Sequence, residues 1–134
     1  NVLVIDDEEQ VRRHLKSALA DEYQADTAAT IAEAEEKIAK KTWDFVFVDL
    51  CMTELTDFGG IQLFQTIRQQ CPKTKAIVLS AYPFDGQVKE EFKKVLKQEP
   101  KQEQILTDIQ DNYISKIGDE NYIGAILNQL STLA

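Results

Sequence analysis

The sequence predicts an α/β fold, a doubly wound parallel sheet of five strands with helices on both faces. Three observations carry that expectation. Short apolar runs recur along the chain: Val2-Leu3-Val4-Ile5, Phe45-Val46-Phe47-Val48, Ala76-Ile77-Val78-Leu79 and the weaker Tyr113-Ile114. The first three are unbroken and rich in β-branched or aromatic residues, as strands covered on both faces should be. Between the runs the apolar period changes to that of an amphipathic helix, and strands alternating with helices build a parallel sheet with right-handed crossovers.

Each element has its own signal. After the first strand, Val11, Leu15, Ala18 and Leu19 fall at i, i+4, i+7 and i+8 and form one helical stripe. The more polar run Glu22-Tyr23-Gln24-Ala25-Asp26-Thr27 reads as an edge strand. Thr30, with Glu33 three residues on, makes a capping box for a second helix whose stripe is Ile31, Ala34 and Ile38. Ile61, Phe64 and Ile67 mark a third helix, and Ile123, Ile126, Leu127 and Leu130 mark the last. Val88, Phe92, Val95 and Leu96 mark a fourth, which Pro100 should stop. One crossover helix with two short loops needs roughly 15–25 residues. The stretch 81–115 exceeds that, and Ile105, Leu106 and Ile109 begin another stripe beyond Pro100. The fourth-helix region is therefore expected to be enlarged, as one lengthened helix or two, with Pro100 at the break.

Composition limits the function. A chain of 134 residues is one ordinary domain, residues 1–134, and 43% hydrophobic content is enough for one core. A net charge of -8 argues against direct binding of nucleic acid or of an anionic membrane surface. No apolar run approaches the roughly 18 residues a membrane span needs. There is no signal-peptide pattern, and two cysteines, Cys51 and Cys71, do not make a disulfide framework, so a cytoplasmic setting is expected. The chain begins without Met and almost inside its first apolar run, which suggests that residues ahead of it were removed. It ends soon after its last helical stripe, so the expectation is either a regulator that works through a partner or a domain of a longer protein.

The chemistry lies at the strand ends. In an open α/β sheet, ligands bind beyond the carboxyl ends of the strands, where strand order reverses. The first strand is followed by Asp6 and Asp7, the third ends in Asp49, the fourth in Ser80 and the fifth in Lys116. In the order 2-1-3-4-5, Asp6, Asp7 and Asp49 meet in one crevice. Three neighbouring carboxylates repel unless a cation is present, and an all-oxygen set with room for water suits Mg²⁺. A lysine and a hydroxyl opposite them suit a phosphoryl group, and Asp49 is the natural nucleophile because carboxylates form aspartyl-phosphates. The plainer reading of Asp6 and Asp7 is that acids favour a helix N-terminus, and Glu8 and Glu9 are assigned only that role. His14 lies off its helical stripe and is expected in solvent.

The stretches "VLVIDDE", "FVFVDL" followed by Met52, "IVLSAY" and "DNYISK" together resemble the receiver domain of two-component response regulators, in the right order and over essentially the whole chain. The resemblance implies a flavodoxin-like fold, with Asp6 and Asp7 holding Mg²⁺ and Asp49 as phosphoacceptor. It implies that the Cys51 carbonyl completes the metal site, that Ser80 and Lys116 contact the phosphoryl group, and that Tyr113 changes rotamer as Ser80 moves. It further implies a histidine kinase or histidine phosphotransfer protein as donor. The output is an effector domain, a partner protein or a homodimer, reached through a surface around residues 84–116. The module is then a switch rather than an enzyme, with only self-catalysed phosphoryl transfer and autodephosphorylation. Three features depart from the family. Thr53 stands where it often has proline, "TELTDFGG" is longer than its usual loop, and Ile117 replaces a proline.

Three rival readings fit less well. A phosphohydrolase using an aspartyl-phosphate usually has a carboxylate two residues past the nucleophile, where Cys51 stands. A nucleotide binder would want a Gly- or Ser/Thr-rich phosphate loop after the first strand, and "DDEE" is the opposite. A receiver that had lost phosphorylation would not need the full set Asp6, Asp7, Asp49, Ser80 and Lys116.

Overall fold

The computed structural model describes residues 1–49, 58–80 and 84–115, with helical positions 124, 126–128 and 130. The strands are β1 (Val2–Ile5), β2 (Ala25–Ala28), β3 (Phe45–Asp49), β4 (Lys75–Ser80) and β5 (Tyr113–Ser115). The helices are α1 (Glu9–Leu19), α2 (Ile31–Lys40), α3 (Phe58–Gln70), α4 (Gly86–Val95) and α5 (Gln102–Asp111). All strand pairs are parallel, and the sheet order is β2-β1-β3-β4-β5, as the sequence predicts.

Because side chains alternate across a strand, each run contributes to two cores. Val2, Val4, Phe45, Phe47, Ile77, Leu79 and Ile114 face α1 and the C-terminal helical residues Ile126 and Leu130. Leu3, Ile5, Val46, Val48, Ala76 and Val78 belong to the other core, which takes residues from α2, α3, α4 and α5.

The edge strand β2 starts three residues later than the sequence suggests. The Glu22 and Tyr23 amides donate instead to the Leu19 carbonyl, at 3.3 and 2.9 Å, and close the end of α1. The Thr30 hydroxyl caps α2 by accepting from the Glu33 amide at 3.1 Å. The return bond of the capping box goes one residue upstream, to the Ala29 amide at 3.2 Å.

The enlarged region is two helices. Asp85 caps α4 by accepting from the Val88 amide at 2.9 Å. The helix ends at Val95, before Pro100, in a turn closed by Glu99 N–H to the Leu96 carbonyl at 2.8 Å. Pro100 stands in the connection, and Gln102 Nε2 donates back to the Lys93 carbonyl at 2.8 Å. The predicted second stripe is not a free surface: Leu106 and Ile109 are buried and Ile105 packs against the same core. Arg68 of α3 forms a two-pronged pair with Asp108 of α5, at 2.9 and 2.7 Å. The Asn112 amide donates to the Asp108 carbonyl at 2.8 Å, and the Asn112 carbonyl accepts from Val78 N–H at 2.6 Å. The inserted helix is thereby joined to α3 on one side and to β4 on the other.

Candidate functional site at the carboxyl edge of the sheet

Parallel register decides which side chains meet. Ile5 stands opposite Val48, so Asp6 and Asp49 are the next positions on neighbouring strands. Asp49 stands opposite Leu79, which puts Ser80 one step beyond it. Ser80 stands opposite Ser115, the residue before Lys116. Order reverses between β1 and β3, the crevice where such folds bind ligands.

Burial separates this edge from an ordinary helix start. Asp6 is 0% exposed, Asp49 2% and Ser80 0%. Fully buried carboxylates are rare because taking a charge from water is costly unless it is bonded or paired. Solvated capping acids do not need such depth, so burial favours the site reading of Asp6 and Asp49. The Asp6 carboxylate accepts from the Glu8 amide at 2.9 Å, which fixes its orientation.

The carboxylate oxygens of Asp6, Asp7 and Glu8 lie within 4.8 Å of one another, with Asp6 buried and the other two exposed. The sequence reading includes the first two and gives Glu8 only a role in starting the helix. Its side chain belongs to the same cluster, a consequence of the tight turn from β1 into α1. A donor set of carboxylate oxygens alone suits a hard, oxygen-seeking divalent cation and not a thiolate- or imidazole-loving metal. Arg12, one turn into α1, donates from Nη1 to the Asp6 carbonyl at 2.8 Å. That fixed positive charge stands against the backbone of the acid cluster and offsets part of its repulsion. Its position six residues after Asp6, on the first turn of the helix, was the signal for it.

Tyr113 opens β5 opposite Val78, two residues before Ser80, and is half-buried. Its ring meets Phe84 edge-on, with centroids 5.1 Å apart. His14 is exposed, as expected. Cys71 is a free, half-buried thiol. Cys51, Lys116, Thr53 and Ile117 lie outside the described residues. Among the described residues, no helix is long and apolar enough to cross a membrane.

Comparison with known proteins agrees with this geometry. The response regulator protein PilR of Pseudomonas aeruginosa is 34% identical over 84 residues, 60% of this chain, and the match spans only 18% of PilR. A response regulator receiver domain protein (CheY-like) from Methanospirillum hungatei superposes with a TM-score of 0.71 at 19% identity, covering 98% of this chain and 90% of that one. The response regulator protein TrrA of Thermotoga maritima, in complex with Mg²⁺-BeF, superposes at 0.65 with 24% identity, covering 96% of each chain. The family model for the response regulator receiver domain matches residues 2–110. With that match, the shared sheet order and the buried acids at its carboxyl edge, this chain belongs to the response regulator receiver domain family, the receivers of two-component signal transduction.

Proposed function

We propose that this domain is a phosphorylation switch in which Asp49 accepts a phosphoryl group from a phosphohistidine on a histidine kinase or phosphotransfer protein. The observation that carries the reading is the burial of Asp49 beside the Asp6, Asp7 and Glu8 cluster at the reversal of strand order. An Asp49 carboxylate oxygen attacks phosphorus, the phosphorus–nitrogen bond breaks, and the imidazole leaves with the bond's electron pair. The product is an acyl phosphate, with about -1.5 to -2 of charge if phosphoserine is a guide.

Asp6 and Asp7 would hold Mg²⁺, with Asp49 and the Cys51 carbonyl completing the site and Glu8 in reach through water. The ion would offset charge on the transferring oxygens, so catalysis is positioning plus electrostatics. Arg12 holds the Asp6 backbone. Lys116 would pair with the phosphoryl group and Ser80 would hydrogen-bond it. Tyr113 would follow Ser80, biasing a surface around residues 84–116 towards a partner, an effector domain or a second copy. That TrrA is known with Mg²⁺-BeF supports asking the same of this chain. The single-domain assignment of residues 1–134 and a cytoplasmic setting belong to the same proposal.

Acetyl phosphate with Mg²⁺ should add one base-labile phosphoryl group, read by intact mass, and Asp49→Ala should abolish it. Equal phosphorylation of Asp49→Ala and wild type sinks the assignment. Mg²⁺ should raise the melting temperature of wild type by relieving carboxylate repulsion and leave Asp7→Ala nearly unmoved. Equal shifts in both would remove Asp7 from the site.

A further inference from the structure

We infer that Phe84 is a positioning residue for Tyr113, holding its ring against the start of α4 and so setting how readily the switch turns. The inference rests on the proposed roles of Asp49 and Ser80. Phe84 immediately precedes Asp85, the cap of α4, so its backbone is fixed where the helix begins. Its ring is anchored on the core side by Phe92, with centroids 6.1 Å apart and planes at 32°. Phe92 is fully buried. On the other side Phe84 meets Tyr113 with centroids 5.1 Å apart and planes at 72°. This edge-to-face arrangement sets the positive rim of one ring against the negative face of the other, a geometry aromatic pairs favour.

The three rings form a chain from the core to the half-buried Tyr113. Only three residues separate Ser80 from Phe84, and Tyr113 pairs with β4 two residues before Ser80. Phe84 therefore touches the aromatic that answers to Ser80 and sits on the same segment as Ser80. When Tyr113 turns out of this position, its edge-to-face contact with Phe84 is lost. A contact made in the resting position and broken in the switched one shifts the equilibrium towards rest, in proportion to its differential strength.

The test is a calorimetric titration of the full chain with beryllofluoride in Mg²⁺. Phe84→Ala should bind the mimic about 2- to 10-fold more tightly than wild type, the range expected for one aromatic pair. Phe84→Leu, which keeps an apolar side chain on Phe92 and protects the start of α4, should fall between the two. In a Tyr113→Ala background, Phe84→Ala should have no further effect, because a double-mutant cycle isolates the pair. Unchanged or weakened affinity in both Phe84 variants overturns the inference, as does the same shift with and without Tyr113. A wild-type chain that does not bind the mimic overturns the reading of Asp49, and this inference with it.

Discussion

The two faces of the sheet bury comparable strand residues and cover them in different ways. On the α1 face, the strands supply bulk themselves: Phe45 and Phe47 of β3, Ile77 and Leu79 of β4. α1 and the C-terminal helical residues suffice to close that face among the described residues, and only Tyr23, Ala25 and Leu127 lie half-buried at its margin. On the opposite face β4 offers only Ala76 and Val78, and large helix side chains such as Phe64 and Phe92 fill the space. Four helices share the work, and the margin is longer, including Phe84, Val95, Ile105 and Tyr113. A face closed by the sheet's own side chains is hard to deform. A face closed by short helices with half-buried edges has lower-energy openings, the condition for a switching surface. The proposed site lies at the shared edge of both faces, so a change at Ser80 is expected to spread to the softer one.

The largest expected effect separates the faces by core truncation. Phe47→Ala and Leu106→Ala both remove fully or nearly fully buried side chains. Phe47→Ala should cost about 3–5 kcal/mol of global stability in urea unfolding. Leu106→Ala should cost about 2–5 kcal/mol by the same rule if α5 unfolds only with the whole domain. The helix-covered face should lose less: hydrogen exchange should show α4 and α5 opening at a lower free energy than β3, with Leu106→Ala acting mainly there. Equal loss of protection across both faces in the two variants would mean that the faces open together.

A smaller effect sharpens it through the helix caps. Thr30 caps α2 and Asp85 caps α4 by the same side-chain bond to the third helical residue. Replacing either by alanine removes a bond worth about 1 kcal/mol. Asp85→Ala should act locally, raising exchange over residues 86–95 while the midpoint of global unfolding moves little. Thr30→Ala should lower the global midpoint, because α2 also supplies the Lys37 carbonyl that accepts from Trp43 Nε1 at 3.0 Å. Circular dichroism melts with exchange on the same samples distinguish the two.

The smallest effect is electrostatic. Lys37 pairs with Asp26 at 3.1 Å and Glu33 at 3.3 Å, with side chains between 27% and 42% exposed, so the network contributes no more than about 1 kcal/mol. Burial pushes the Asp26 carboxyl up, but the Thr27 amide and the Lys37 ammonium outweigh it and hold it below its ordinary value. A depressed acid stabilises the fold above its unfolded pKa, and that contribution is lost as pH falls through the folded one. For Lys37, burial pushes the ammonium down, but Asp26 and Glu33 outweigh it and raise it. Its contribution is present below the unfolded lysine value and is lost as pH rises through the raised one. The melting-temperature gap between wild type and Lys37→Met should therefore be widest in the middle range. It should close below about pH 4 and again above about pH 10.5. A gap that is constant across pH would reduce the network to packing of the lysine stem.

The sequence by itself determined what depends on local pattern. Unbroken apolar runs need cover on two sides, so Val2–Ile5, Phe45–Val48 and Ala76–Leu79 could be placed as interior strands. A threonine with a glutamate three residues later, just ahead of an apolar stripe, marks the start of α2. Proline cannot continue a helix, so a break between the two stripes was legible around Pro100, although α4 itself already ends at Val95. Asp6, Asp49 and Ser80 could be placed at the strand ends, where the fold buries them. The rest depends on the geometry of the folded chain, on how elements pair and on the angles at which they meet. The start of β2 at Ala25 was set by its pairing with Val2, while Glu22 and Tyr23 closed the end of α1. Glu8 joined the acid cluster because of the angle at which β1 turns into α1. The stripe of α5 could have faced solvent, a partner or the sheet. A pattern fixes that a face is apolar but not what covers it, and here the core and the Arg68–Asp108 pair supply the answer. Phe84 stands 29 residues from Tyr113 in the chain, and only the folded sheet brings their rings to 5.1 Å.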